Sequence, residues 1–187
     1  MRIQDIEAVF IDRDGTIGGT GHFIHPSNFL PYSFTEAALS LLRERGIKTI
    51  ALTNQHRISK GQAAIEEFQK EFKTFGFTDA FICPHSEEDG CGCHKPEPGM
   101  LLEAAKIHKL DLKKCVVIGD VGSTDMLAAH AVGAMKILVL TGWGKSSLDD
   151  QRYRWKEIEP DFIAENLLEA VKGILALTSS GETSSSL

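Results

Sequence analysis

The sequence predicts an α/β protein in which helices cover both faces of a mainly parallel sheet. Short apolar segments alternate along the chain with longer segments whose apolar residues recur at helical spacing. Apolar segments without alternating polar residues are typical of strands that are buried on both faces, as in parallel sheets. With 187 residues, of which 42% are hydrophobic, the chain is long enough for one domain with a sizeable core.

Each predicted strand is a short apolar segment bounded by turn-forming or charged residues. The predicted strands are residues 7–12, 48–53, 80–83, 116–120, 135–140 and 162–164. The predicted helices run from residue 33 to a stop at Gly46, and over residues 59–75, 98–108, 124–132 and 167–177. Strands and helices that alternate in this way predict a Rossmann-like three-layer sandwich.

The ends of several helices are predicted from capping residues. Ser33 and Glu36 have the spacing of a capping box, so the first helix is expected to begin at residue 33. Apolar residues then recur on one helical face, at positions 34, 37, 38, 41 and 42. Gly46 and Gly76 are expected to end the first and second helices, and Pro98 suits the first turn of the third.

Charge and composition exclude several classes of protein. The chain carries 26 acidic and 20 basic residues, a net charge of −6, which argues against nucleic-acid binding. No apolar segment approaches the roughly 20 residues that cross a bilayer, and the first residues lack the apolar run of a signal peptide. We expect a cytoplasmic protein without nucleic-acid or membrane partners, and a monomer. One domain is predicted over residues 1–178, followed by a disordered, serine-rich tail over residues 179–187.

Polar residues gather where the predicted strands end. Asp12 and Asp14 follow the first strand, and Thr53 ends the second. Asp120 ends the fourth strand, and Lys95 lies just before the third helix. The carboxyl ends of parallel strands meet at one edge of the sheet, where α/β proteins bind ligands. Carboxylate oxygens suit Mg²⁺, which usually shares them with a phosphate group, so the pattern predicts a site for Mg²⁺ and a phosphate ester.

Taken singly, these residues have ordinary structural explanations. An Asp-x-Asp sequence followed by glycine is often only a turn in which aspartate bonds its own backbone. A threonine at a strand end is more often structural than catalytic, and a lysine before proline is usually solvated. Their occurrence in this order, each at a strand end or a helix start, favours the functional interpretation.

The same residues carry a resemblance to a known family. Residues 12–16, DRDGT, resemble motif I of the haloacid dehalogenase (HAD) superfamily of phosphohydrolases. Thr53 matches motif II, Lys95 matches motif III, and Asp120 with Asp125 matches motif IV. All four motifs occur in the family's order, and the resemblance covers roughly residues 5–145.

This resemblance implies hydrolysis in two steps through an aspartyl-phosphate. Asp12 is implied to attack phosphorus, and Asp14 to protonate the leaving oxygen and then deprotonate water. Mg²⁺ is implied to be held by Asp12, Asp14 and Asp120, and to neutralise the phosphoryl oxygens. Thr53 would donate a hydrogen bond to a phosphoryl oxygen, and Lys95 would add positive charge.

The resemblance also assigns roles around these groups. Asp125 would orient the motif III lysine or a water molecule near the metal, and the backbone of Arg13 would contact the metal or phosphate. The other substrate-binding or phosphate-binding candidates are Asn54, Gln55 and His94.

Four soft metal donors lie within the eleven residues 83–93, namely Cys83, His85, Cys91 and Cys93. Three thiols and one imidazole form the closed tetrahedral set that is typical of structural zinc. We therefore predict a zinc-binding loop over residues 83–93. The alternative is that the cysteines are free and the loop is merely flexible. The fourth cysteine of the chain, Cys115, begins a strand and is expected in the core.

The zinc loop narrows the resemblance to subfamily IIIA, the branch of small histidinol-phosphatases and heptose bisphosphate phosphatases. The sequence TNQ at residues 53–55, followed by Ile58 and Gly61, also resembles this branch, as does a substrate loop at residues 25–29. The branch lacks a large cap domain, which agrees with the short connections in this sequence.

Three positions depart from that branch. His94 precedes the motif III lysine, where the branch usually has arginine. Asp125 follows Asp120 by five residues rather than the more usual four. His56 and Arg57 replace a small Ser-Gly pair. We expect the chemistry to be kept, while the substrate specificity changes.

The sequence therefore predicts a Mg²⁺-dependent phosphatase with a structural Zn²⁺. Its substrate is expected to be a small soluble phosphomonoester, either a sugar phosphate or bisphosphate or histidinol phosphate. One alternative is a phosphotransferase or mutase that passes the phosphoryl group to a hydroxyl. Another is a non-catalytic domain of the same fold. Hydrolysis is favoured because no large cap excludes water.

Overall fold

A computed structural model describes residues 5–177. Within them, six strands form one parallel sheet in the order β3-β2-β1-β4-β5-β6. The strands are β1 Ala8–Ile11, β2 Lys48–Asn54, β3 Asp79–Cys83, β4 Cys115–Gly119, β5 Met135–Val139 and β6 Phe162–Ala164. The predicted sheet is confirmed. The predicted tail and the outermost residues of the predicted domain lie outside the described residues.

The α-helices within the same residues alternate with these strands, except for one short addition. They are α1 Thr35–Glu44, α2 Ile65–Thr74, α3 Gly99–His108, α4 Leu127–Val132, α5 Gly144–Leu148 and α6 Leu167–Ala176. The short helix α5 was not predicted, because its sequence GKSSL carries no apolar periodicity. A π-helical turn, Gly122–Met126, stands where the prediction began the fourth helix.

Residues of the central strand β1 alternate between two hydrophobic cores. Val9 and Ile11 pack in a core that includes buried residues of α1, α2 and α6. Ala8 and Phe10 pack in a second core, with buried residues of α3 and α4. All four side chains are fully buried. Helices therefore cover both faces of the sheet, which confirms the three-layer sandwich.

The predicted start of α1 was wrong. The helix begins at Thr35, and no side chain caps it. The Thr35 hydroxyl instead donates to the carbonyl of Ile17 at 2.7 Å. This bond ties the first residue of α1 to the segment that follows β1. Glu36 accepts hydrogen bonds from Ser40 and Arg43 rather than reaching back to residue 33. The buried face also differs from the prediction, because position 37 is exposed and position 39 is buried.

The predicted start of α2 was also wrong, since the helix begins at Ile65 rather than at residue 59. Gly61 has φ +67°, a left-handed conformation that an α-helix does not contain. The carboxylate of Glu67 accepts a hydrogen bond from the backbone N–H of Ala64 at 2.8 Å, which caps the helix at this point. Residues 56–63 are therefore a loop at the carboxyl end of β2.

The fold brings the carboxyl ends of β1, β2 and β4 to one edge, because these three strands are neighbours and parallel. At this edge, loops follow β1 and β2, and the π-helical turn Gly122–Met126 follows β4. No helix in this part of the chain has the length and apolarity needed to cross a membrane.

Candidate active site

A cavity of about 190 Å³ opens at the carboxyl ends of β1 and β2. Seven of the residues predicted from the sequence line it: Asp12, Asp14, Thr53, Asn54, Gln55, Lys95 and Asp125. The structure thus brings together residues from two strand ends and from the segment before α3.

Lys95 lies at the centre of this group and is buried, with 3% of its surface exposed. Its ammonium donates to Asp12 Oδ1 at 2.7 Å, to Asp125 Oδ1 at 2.6 Å and to the carbonyl of Leu52 at 2.8 Å. Burial alone would lower the pKa of Lys95, but the two carboxylates raise it above its ordinary value. Lys95 is therefore a fixed positive charge between two carboxylates.

The backbone of Lys95 is held in turn by Asn54. The Asn54 side-chain oxygen accepts from the backbone N–H of Lys95 at 3.0 Å, and its amide nitrogen donates to the Lys95 carbonyl at 3.1 Å. Asn54 was predicted to bind substrate, yet its side chain is engaged in placing Lys95. The ring of His94 lies beside it, with Nδ1 3.3 Å from the Asn54 amide nitrogen. His94 is partly buried and is not among the residues that line the cavity.

Three buried carboxylates could hold a metal ion. Oxygens of Asp12, Asp120 and Asp125 lie within 4.8 Å of one another. Burial raises the pKa of Asp120, and the nearby charges of Asp12 and Asp125 raise it further. Lys95 is the one side-chain cation that contacts this trio within residues 5–177. A set of buried, mutually repelling oxygen donors suits a hard divalent cation such as Mg²⁺.

The side chain of Asp14, which was predicted to be a ligand of that ion, is not part of this group of three carboxylates. Its two oxygens accept from Arg13 at 2.7 Å and from Gln55 at 2.6 Å, and the group of three carboxylates includes Asp125 in its place. Burial raises the pKa of Asp14 to about 6, although the Arg13 guanidinium opposes this shift. A carboxyl group with this pKa, at the cavity wall, can both donate and accept a proton near neutral pH.

The side chain of Arg13 is fully buried and does not line the cavity. Its guanidinium stacks on the ring of Phe29, 3.8 Å from the ring centroid, and lies 5.0 Å from the centroid of Phe68. It donates to both carboxylate oxygens of Glu71, on α2. The Arg13 side chain is therefore not placed to contact a metal ion or phosphate in the cavity, and only its backbone could make the predicted contact.

Thr53 and Gln55 form a second pair beside Asp14. The Gln55 amide donates to the Thr53 hydroxyl oxygen at 2.9 Å as well as to Asp14. Because the Thr53 oxygen accepts this bond, its own O–H is available to donate toward a ligand in the cavity. The backbone N–H of Gln55 donates to the carbonyl of Cys83 at 2.7 Å, which ties the site to the cysteine loop.

Two glycines allow the chain to approach Asp120 closely. A Cβ atom on Gly15 or on Gly142 would lie 2.1 Å from Asp120 Oδ2. Gly15 also has φ +90°, which side-chain-bearing residues rarely adopt. The backbone N–H of Trp143 donates to the same oxygen at 2.7 Å. The glycine of the DRDGT motif is thus needed for the turn and for the position of Asp120.

The four predicted zinc ligands come together in the structure. The sulfur of Cys93 lies 3.2 Å from that of Cys83 and 3.4 Å from that of Cys91, and His85 Nδ1 lies 3.3 Å from it. Sulfurs that share one tetrahedral zinc ion lie about 3.8 Å apart. The cluster is therefore close to the size that zinc requires. Cys115 is buried in the second core, and its thiol donates to the carbonyl of Asp111.

Sequence reasoning missed several residues of the cavity wall. Besides the seven given above, the cavity is lined by Gly21, Phe23, His56, Val121 and Thr124. Of these five residues, only His56 had a signal in the sequence, since it stands where the family branch has a small residue. None of residues 25–29, the predicted substrate loop, lines this cavity, whereas Gly21 and Phe23 do, and Phe29 lies in the core.

Known proteins resemble this chain in sequence and in fold. The HAD-hydrolase-like family model matches residues 92–170. A D-glycero-beta-D-manno-heptose-1,7-bisphosphate 7-phosphatase from Vibrio cholerae is 34% identical over 155 residues, which cover 72% of this chain and 82% of the relative. A probable D-glycero-D-manno-heptose-1,7-bisphosphate 7-phosphatase from Thermoplasma volcanium is 33% identical over 131 residues, which cover 64% of this chain and 89% of the relative.

Solved structures share the fold. The crystal structure of a D,D-heptose 1,7-bisphosphate phosphatase from B. bronchiseptica, complexed with magnesium and phosphate, superposes with a TM-score of 0.79 and 24% identity. That match covers 91% of this chain and 99% of the other. The relatives define the class of enzyme, the phosphatases that hydrolyse phosphoric monoesters. Within that class, the chain belongs to the haloacid dehalogenase superfamily of phosphatases.

Proposed function

We propose that the chain hydrolyses a small sugar phosphate or sugar bisphosphate, with Asp12 as the nucleophile. The observation that carries this proposal is the buried contact between Lys95 and Asp12, next to two further buried carboxylates. Two curated relatives are named heptose bisphosphate 7-phosphatases, which supports a phosphorylated sugar over histidinol phosphate. The predictions of a monomer and of a cytoplasmic location remain predictions from the sequence.

In the first step, a carboxylate oxygen of Asp12 attacks phosphorus, and the ester bond to the leaving oxygen breaks. Lys95 holds Asp12 through Oδ1 and so leaves Oδ2 for the attack. Asp14 gives its proton to the leaving oxygen, so that the substrate departs as a neutral alcohol. The Thr53 hydroxyl donates to a phosphoryl oxygen.

In the second step, water attacks the aspartyl-phosphate. Asp14, now ionised, takes a proton from that water, the bond between phosphorus and Asp12 breaks, and inorganic phosphate leaves. Mg²⁺ held by Asp12 and Asp120, with Asp125 the third carboxylate within reach, would neutralise charge on the phosphoryl oxygens. Gln55 keeps the Asp14 carboxylate in place by its 2.6 Å hydrogen bond.

Hydrolysis is favoured over transfer to a second hydroxyl. Within residues 5–177, no domain covers the cavity, so water reaches the aspartyl-phosphate. Release of inorganic phosphate without an added acceptor distinguishes hydrolysis from a phosphotransferase or mutase reaction.

We further propose that Cys83, His85, Cys91 and Cys93 hold a structural zinc ion. Four ligands fill a tetrahedral site and leave no position for substrate, which fits a structural role. Since the carbonyl of Cys83 accepts from the Gln55 backbone, an ordered loop would help to hold the residues that follow β2.

The test is phosphate release from a panel of sugar phosphates, sugar bisphosphates and histidinol phosphate, with Mg²⁺ present. Asp12→Asn should abolish release from every ester, because an amide does not attack phosphorus. Asp150→Asn, an exposed aspartate on the surface, is the matched control and should keep wild-type turnover. Turnover retained by Asp12→Asn would exclude the aspartyl-phosphate mechanism.

A further inference from the structure

The short helix α5 is attached at two points to the segment that carries two of the three buried carboxylates. Just before the helix, the backbone N–H of Trp143 donates to Asp120 Oδ2 at 2.7 Å. Within the helix, the hydroxyl oxygen of Ser147 accepts a hydrogen bond from the backbone N–H of Gly122 at 2.6 Å. Gly122 is the first residue of the π-helical turn, which contains Asp125. Helix α5 therefore contacts both Asp120 and the turn that carries the third carboxylate.

The π-helical turn determines where Asp125 lies. The backbone N–H of Leu127 donates to the carbonyl of Gly122, five residues earlier, whereas an α-helix bonds residues four apart. The turn thus takes up one residue more than an α-helical turn, which agrees with the five positions between Asp120 and Asp125. Asp125 Oδ1 accepts from the Lys95 ammonium at 2.6 Å. A small movement of the turn would therefore change the contact between Asp125 and Lys95.

Trp155 supports this turn from the side away from the reaction cavity. Its indole ring is buried and packs against Gly122, where a Cβ atom would lie 1.9 Å from a ring atom. The indole N–H donates to the backbone carbonyl of Ser147 at 2.9 Å. Met126, the last residue of the turn, packs in the same small core as Trp155. Ser147 is thus held by Trp155 through its carbonyl, and it holds Gly122 through its hydroxyl.

The bond between Gly122 and Ser147 is a buried polar contact, since Ser147 is 2% exposed. A buried N–H that loses its acceptor is left with the cost of its desolvation, so the backbone would shift towards another partner. Such a shift moves the turn and with it Asp125. Ser147 itself is not among the residues that line the reaction cavity, so any effect that it has on the reaction must pass through the turn.

We infer that Ser147 is a positioning residue of the reaction site: its hydroxyl holds the π-helical turn so that Asp125 stays beside Lys95 and the other metal-site carboxylates. This inference rests on the proposed function and adds to it a residue that touches neither substrate nor metal. Groups that orient the ligands of a metal site contribute about 10–100-fold to metal affinity or to activity.

The test measures Mg²⁺ affinity by calorimetry and, separately, kcat and KM for a sugar phosphate that the wild type hydrolyses. In Ser147→Ala we expect Mg²⁺ to bind at least about tenfold more weakly and kcat to fall at least about tenfold. KM should change by less than about twofold, because Ser147 does not line the cavity. Ser147→Cys fills nearly the same space with a weak acceptor and should lower affinity and kcat too. If Ser147→Ala does not fold, Ser147→Cys decides the question.

Two controls separate positioning from general support of the fold. Ser146→Ala changes the neighbouring serine of α5, whose side chain forms no hydrogen bond within residues 5–177, and it should match the wild type. Val171→Ala opens a gap in the core that includes α6, away from the π-helical turn. It should lower the melting temperature but leave Mg²⁺ affinity and kcat near their wild-type values when measured well below that temperature.

Two outcomes would overturn the inference. One is wild-type Mg²⁺ affinity and kcat in both Ser147 variants. The other is a loss in Val171→Ala that equals the loss in Ser147→Ala, because Ser147 would then act only through the stability of the fold.

Failure of the proposed function gives a different result, because Mg²⁺ affinity is measured without turnover. If the wild type releases no phosphate, yet Ser147→Ala binds Mg²⁺ more weakly and both controls do not, the inference stands and the proposed hydrolysis fails. If the wild type hydrolyses the ester and both Ser147 variants behave as the wild type does, the proposed function stands and this inference fails.

Discussion

Arg13 and Glu71 form a two-point ion pair behind Asp14, the proposed general acid. Arg13 Nε lies 2.6 Å from one carboxylate oxygen of Glu71, and a terminal nitrogen lies 2.9 Å from the other. The second terminal nitrogen of Arg13 donates to Asp14 at 2.7 Å. Glu71 is therefore joined to Asp14 through one rigid guanidinium, although it lies 58 residues further along the chain than Arg13.

Glu71→Gln tests whether Glu71 acts on Asp14 through Arg13. Glutamine can accept one of the two hydrogen bonds, so Arg13 keeps its place but loses its charge partner and binds Asp14 more strongly. A more tightly held, more acidic Asp14 protonates a poor leaving group less well. We expect turnover of an alkyl phosphate to fall about tenfold, and turnover of 4-nitrophenyl phosphate, whose leaving group needs no proton, to fall much less.

The control for this variant is Glu66→Gln, an exposed glutamate of the same helix. It should leave both rates unchanged. An equal loss on the two esters in Glu71→Gln would mean that Glu71 supports the fold and does not position Asp14.

Asp14→Asn tests the acid itself. We expect the alkyl phosphate rate to fall about 10²–10⁴-fold and the 4-nitrophenyl phosphate rate to fall less, because general acid catalysis matters most for a poor leaving group. The wild-type pKa of about 6 also predicts a pH dependence. When departure of an alkyl leaving group limits turnover, the rate should decline as the pH rises above that value. A flat profile for both esters would argue against Asp14 as the acid.

Removal of a carboxylate from the proposed metal site should stabilise the metal-free protein. The pKa of Asp120 is raised in the folded chain, so unfolding releases a proton above the ordinary pKa of 3.8. The metal-free protein therefore loses stability as the pH rises above that value. Asp120→Asn removes the group whose ionisation causes this loss of stability, and the asparagine oxygen can still accept the hydrogen bond from the Trp143 N–H. We expect its free energy of unfolding in EDTA to rise by about 1–2 kcal/mol at pH 7.

Thermal denaturation with and without Mg²⁺ checks this prediction. Mg²⁺ should raise the melting temperature of the wild type and have a smaller effect on Asp120→Asn, since binding to the folded state stabilises it. A metal-free Asp120→Asn protein that is less stable than wild type would contradict the argument.

Zinc should hold the cysteine loop without taking part in hydrolysis. Elemental analysis of the purified protein is expected to give one zinc per chain. Cys91→Ser should remove that zinc and increase amide hydrogen exchange over residues 83–93, because three remaining ligands hold the ion poorly. Cys115→Ala is the control, since Cys115 lies in the core away from the cluster and should leave zinc content unchanged. Full zinc retention by Cys91→Ser would exclude the predicted ligand set.

Much of the site was predictable because its signals are local in sequence. Each strand is a short apolar segment, and the reacting groups stand directly after β1 and β2. The four ligands of the proposed zinc site lie within residues 83–93. Helix starts were less predictable. The capping box predicted at Ser33 does not form. The start of the helix is held instead by the hydrogen bond from the Thr35 hydroxyl to the carbonyl of Ile17, a contact that sequence spacing does not show.

The alternation of strands and helices, the parallel sheet and the family were predictable from local periodicity and from motifs of a few residues. Which side chains meet one another followed only from the way the chain folds. The fold placed Asp125 rather than Asp14 with Asp12 and Asp120, and it buried Arg13 against Glu71. Arg13 and Glu71 are 58 positions apart in the sequence, and Lys95 and Asp12 are 83 positions apart. These contacts depend on how helices and loops pack against the sheet, which no local pattern encodes.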